Sequence, residues 1–188
     1  MGITNVGQYA YSSYEGWDEY PLRCLTYLIE HNESIWKILK YNLPNAWDND
    51  GIPNLTHAEK AALIYAGDGQ IQNYSVFLDI GQDEVFTQQK TVLRISNYSL
   101  VPDNRTVGTA TLIFEVYSHY QINQMSNQRT RTDMIIQQLL QTFNGKEIGL
   151  GLGKLFFDKS AVAANRAEVG GQIPYRGKWM LMSNRAGG

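Results

Sequence analysis

The chain has 188 residues, of which 43% are hydrophobic and 18% charged, with a formal charge of −2. One ordinary domain accounts for this length and would bury roughly 70% of the surface that its unfolded chain exposes. A near-neutral balance excludes bulk nucleic-acid binding driven by counterion release, and the apolar content excludes general disorder.

The N-terminal sequence MGITNVGQYAYSSYEGW has no basic segment leading into an apolar one. No run of about 18 apolar residues occurs either, so neither a secretory signal nor a membrane span is expected. The lone Cys24 lies in an apolar helical pattern and is expected as a buried thiol in a reducing compartment. Five Asn-x-Ser/Thr triplets, at Asn32, Asn54, Asn73, Asn97 and Asn104, follow from an Asn-rich composition and carry no weight without a secretory signal.

Residues 1–17 lack a sustained period and are expected to form an arm that orders on docking. From Asp18 the apolar spacing of Leu22, Leu25, Leu28, Ile29, Trp36 and Leu39 predicts one helix ending before Pro44. Thr56 and Glu59 make a capping-box pattern for a second helix running to about Ala66 and stopped by Gly67. Residues 18–66 thus form a helical lead, and residues 67–188 a sheet with a further helix, within one domain.

The period then changes to two. Short strands are predicted at Val76–Ile80 and Thr91–Ser96, a turn at Val101–Arg105, and a strand from Thr109 to His119 with Leu112, Phe114 and Val116 on one face. This is an antiparallel hairpin with a long tip. Thr130 and Asp133 cap a helix carrying Met134, Ile135, Leu139 and Phe143, which ends at Gly145 and should lie across the sheet. Two last strands, Ile148–Phe157 and Tyr175–Met182, flank a long linker, Asp158–Gly171, expected to reach a neighbouring chain or line a passage. The expected class is α+β: one antiparallel or mixed sheet covered by helices.

Motifs for chemistry are weak. Gly149-Leu-Gly-Leu-Gly-Lys154 is one residue short of a phosphate loop and has Leu155 where a magnesium-binding hydroxyl belongs. Asp48-Asn49-Asp50-Gly51 has its glycine too early for a calcium loop, and His31, His57 and His119 lack metal spacing. No nucleophile with a base is visible, so no catalytic, cofactor or metal site is expected. The residues that stand out suit interfaces: the arm aromatics Tyr9, Tyr11, Tyr14 and Trp17, and Arg129, Arg131, Tyr175, Arg176 and Trp179 near predicted element ends. Arg129, Arg131, Arg176 and Lys178 would form a basic cluster if those ends meet.

The stretch from about Thr91 to Ser183 resembles the neck and tail-terminator proteins of tailed bacteriophages. The resemblance rests on the hairpin ending Phe114-Glu-Val-Tyr-Ser-His119, the helix opened by Arg129-Thr-Arg-Thr-Asp-Met134, and the late Gly177-Lys-Trp-Met-Leu-Met182 strand. It implies a non-catalytic virion protein, made in the host bacterial cytoplasm, that closes into a six- or twelve-fold ring at the joint between head portal and tail. Its partners would be copies of itself, portal, adaptor or tail proteins, and passing double-stranded DNA bound without sequence specificity. The alternative expectation is a non-catalytic module that binds a small molecule or single-stranded nucleic acid through aromatic residues and the basic cluster.

Overall fold

The computed structural model describes residues 16–48, 51–78, 88–102, 108–148, 153–163 and 175–184. The apolar spacing after Asp18 does produce helix, but in two pieces: α1 (Tyr20–His31) and α2 (Glu33–Lys40). Asn32 separates them in extended backbone, and its side-chain oxygen accepts from the Ile35 N–H at 3.0 Å, making it the N-cap of α2. The Asn32 amide nitrogen also donates to Thr142 Oγ1 at 2.8 Å and to Gln138 Oε1 at 3.1 Å. Tertiary bonding therefore fixes a break that periodicity alone does not register. Leu22, counted in the apolar stripe, is 52% exposed.

The Thr56–Glu59 capping box forms as expected, but α3 (His57–Ala61) ends well before Ala66. The chain is drawn into the sheet instead: Ser75 and Val76 both donate to the Leu63 carbonyl, and Ile64 bridges Val76. Strand β1 (Val76–Phe77) follows, then β2 (Thr91–Pro102) and β3 (Gly108–His119). The last two residues of the expected Val76–Ile80 strand lie outside the described residues. Strand β2 runs on through Val101 and Pro102, where a turn was expected, because β3 supplies a partner along its whole length.

After the short helix α4 (Tyr120–Asn123) comes α5 (Arg131–Phe143), capped by Thr130 as its T-x-x-D pattern requires. Strands β4 (Lys146–Glu147), β5 (Lys154–Ala163) and β6 (Tyr175–Asn184) complete the described chain. The expected strand Ile148–Phe157 is shifted: Gly153 turns through a positive φ of 71°, and β5 extends six residues into the expected linker. A bulge at Asp158 resets the alternation there, which hides Lys159–Ala163 from a period-two pattern. The rest of that linker lies outside the described residues.

Together these strands form one mixed sheet in the order β1-β2-β3-β6-β5-β4, with β1 parallel to β2 and the other pairs antiparallel. The fold is α+β. On the first face Leu93, Ile95, Leu112, Phe114, Val116, Met180 and Met182 join the helices in the main core. Phe143 of α5 sits 5.4 Å from the Phe114 ring, so the helix does lie across the sheet. Each such side chain, fully buried, contributes about 1.5–3 kcal/mol.

One cation closes this helical layer. Arg131, the first residue of α5, is 0% exposed. Its guanidinium donates to the carbonyls of Ile38 (3.0 Å), Tyr41 (2.9 Å) and Leu43 (2.6 Å) at the end of α2, and to Ile122 of α4 (2.6 Å). Terminal carbonyls of a helix have no partner within it, and a positive charge suits that end of its dipole. Burial lowers the Arg131 pKa to about 10, which leaves it charged at neutral pH. We predict that Arg131→Ala lowers stability in urea unfolding by about 3–5 kcal/mol, because carbonyls of three segments lose their donor together. Arg131→Lys should recover little, since a single ammonium lacks the fork that reaches them.

Candidate functional site

A sheet exposes unpaired backbone groups at its edges, and here each edge is only partly covered. At one edge β1 pairs only with Leu93 and Arg94 of β2. Among the described residues no strand pairs with the outer side of Ile95–Pro102. At the other, β4 covers Lys154 and Leu155 of β5, and the Asn144 side chain accepts from the Phe157 N–H at 2.9 Å. Beyond that point, among the described residues, the outer side of Asp158–Ala163 has no strand beside it. Both open stretches carry exposed apolar side chains: Tyr98 (58%) and Val101 (55%) on β2, and Val162 (72%) on β5. Each also contains a bulge, at Tyr98 and at Asp158, which limits the stretch able to pair with another chain.

The residues expected at an interface separate into groups. Tyr9, Tyr11 and Tyr14 lie outside the described residues. Trp17 is partly buried: its carbonyl accepts from Asn97 of β2 at 2.7 Å, and its ring meets Tyr20 edge-on at 5.5 Å. The root of the arm is thus fastened beside the open side of β2. Arg131 and Tyr175 are core residues, 0% and 2% exposed, so neither presents a surface within this chain. Arg129 and Arg176 are exposed and Trp179 is partly so.

The expected basic cluster does not survive folding as four free cations. Arg131 turns inward, Lys178 pairs with Asp133 on α5, and Arg129 donates to Gln137 Oε1 at 2.8 Å. Burial raises the Asp133 pKa, yet hydrogen bonds from Lys178 and Thr130 and the Lys178 charge outweigh it and hold the group below its ordinary value. The stretches that sequence reasoning missed are the open edges themselves. Alternation could have pointed to them only up to each bulge.

The second face of the sheet carries aromatic and polar side chains. Phe77, Val92, Tyr117 and Tyr175 form a small buried cluster, with Tyr65, Ile71, Tyr74 and Trp179 against it. Lys90 fixes its margin, donating to the carbonyls of Ile71 (3.3 Å), Gln72 (3.0 Å) and Tyr74, with its nitrogen 5.9 Å from the Phe77 ring centroid. Burial lowers the Lys90 pKa to about 8. Tyr175 donates its hydroxyl to the Gln88 carbonyl, and burial raises its pKa. Nothing in this arrangement pairs a nucleophile with a base. Among the described residues no three His, Cys, Asp or Glu side chains are grouped to hold a metal, and no helix is long and apolar enough to cross a membrane.

Comparison with known proteins adds one match. The model of the YomW family matches residues 32–171, about three quarters of the chain, from the cap of α2 to a point just short of β6. No curated protein matches the chain.

His119 gives this region a pH dependence. It is 9% exposed at the end of β3, stacks edge-on with Tyr175 at 5.6 Å, and accepts from the Gln121 N–H at 3.3 Å through Nδ1. Burial lowers its pKa from 6.5, and an acceptor role for Nδ1 requires the neutral ring. The stability it contributes is therefore complete above the unfolded value and is lost as pH falls through the folded one. We predict that the melting temperature drops between about pH 7 and about pH 5, and that His119→Gln flattens this part of the profile.

Proposed function

The chain belongs to the YomW family, which makes it a phage-associated protein, and from that premise we propose that it is a structural virion protein that assembles into a ring. Its place is the neck between head portal and tail, around the DNA channel, and it has no catalytic role. The observation that carries this reading is the pair of dissimilar open edges on one sheet. A closed ring needs heterologous contacts, in which one surface of a subunit meets a different surface of the next. A β2 edge with Tyr98 and Val101 and a β5 edge with Val162 supply two such surfaces. Added main-chain pairing would satisfy their unpaired backbone groups, and exposed side chains on alternate positions would give specificity.

A nucleic-acid module finds less support, because three of the four cations it would use are engaged within the chain. The partners in this account are copies of the same chain and neighbouring portal, adaptor or tail proteins, with DNA passing through unread.

Light scattering behind size-exclusion chromatography, with electron-microscope class averages, tests assembly directly. We predict closed rings of six or twelve subunits, alone or on addition of portal or tail partners. A monomer under all of these conditions would contradict the reading. Val162→Lys places a charge on the open edge of β5 at a position 72% exposed, so it should abolish the ring while changing monomer stability by no more than about 0.5 kcal/mol.

A further inference from the structure

On the second face of the sheet, Arg94 of β2 and Glu115 of β3 are cross-strand partners, and Ser96 lies two residues beyond Arg94 on the same face. Ser96 and Glu115 are each 4% exposed. Glu115 Oε1 accepts from the Tyr117 hydroxyl at 2.8 Å. Among the described residues, its second oxygen, Oε2, and Ser96 Oγ are buried with no hydrogen-bond partner. Buried polar groups are almost always satisfied, and an orphaned carboxylate oxygen is among the most costly to leave unmet.

Diagonal neighbours on one face of an antiparallel pair stand about 7–8 Å apart at Cα, with their side chains leaning closer. A single molecule accepting one bond and donating another spans about 5 Å between its partners. We propose that Ser96 and Glu115 hold an internal water. Ser96 donates its hydroxyl proton to the water oxygen, and the water donates to Glu115 Oε2, giving a continuous chain from Ser96 through Glu115 to Tyr117. A divalent cation does not suit one carboxylate and one hydroxyl, since such ions take six or more oxygen ligands. An organic ligand or a partner side chain does not suit oxygens buried this deeply. A water needs only a small polar space and two to four partners. Its place matters for β2: Ser96 immediately precedes the bulge between Asn97 and Ser99 that turns Tyr98 outward.

The test is nuclear magnetic resonance of the labelled full-length chain, recording rotating-frame cross-relaxation between water and Ser96, together with a double-mutant cycle. A long-lived water contact at Ser96 that vanishes in Ser96→Val is the expected result. Ser96→Ala and Glu115→Gln should each lower the folding equilibrium constant about tenfold. The double variant should fall about as far as either single one, because both remove the same bridge. No water contact in the wild-type spectrum, or about a hundredfold loss in the double variant, would overturn the proposal. So would stability that rises with potassium or sodium at fixed ionic strength, which would mark the occupant as a cation. The wild-type spectrum decides the matter even if the variants do not fold.

Discussion

The helical half of this protein is organised around the buried guanidinium of Arg131. A charge taken wholly out of water is costly unless every donor finds an acceptor, and here the acceptors are the carbonyls that the end of α2, the loop after it and α4 leave over. The cation needs those carbonyls, and the Leu43 carbonyl shares itself between Arg131 and the Ala46 N–H, which donates to it at 3.1 Å. The guanidinium fixes α2, α4 and the start of α5 relative to one another, and Asn32 repeats the device on a smaller scale by joining the α1–α2 break to Thr142. With the helices so held, α5 lies against Phe114 and the first face of the sheet is closed.

What the helices leave uncovered is therefore the edges of the sheet and its second face. A domain that spends its helices on one face keeps strand edges available, and the proposed ring would use them. The second face is less open to such use. Its aromatic cluster, the Lys90 clamp on three carbonyls and the Tyr117–Glu115 bond all direct polar groups inward.

The sequence shows the fold where one force dominates. The capping box at Thr56 and Glu59, the Thr130 cap and the alternation of Leu112, Phe114 and Val116 are local signals, and all three appear in the structure where the pattern places them. It misleads where a tertiary partner decides. Asn32 breaks a continuous apolar stripe because α5 offers it acceptors, and β5 runs into an Ala-rich stretch because β6 offers it a ladder. The residues expected at an interface were the hardest to place. Arg131 beside a helix cap looks like a surface cation, and only the three-dimensional convergence of chain ends reveals it as a core residue. Tyr98 and Val162 look unremarkable until the bulges beside them are known.

Whether the two open edges meet head to tail is the central claim, and paired cysteines test it most directly. Cys24 is fully buried, with its thiol pKa raised by burial, so it stays silent. A chain carrying both Tyr98→Cys and Val162→Cys should form a ladder of disulfide-linked oligomers under mild oxidation, while either single variant should give none on its own. Disulfide dimers from one single variant would show like meeting like, and would contradict a head-to-tail ring built on these edges.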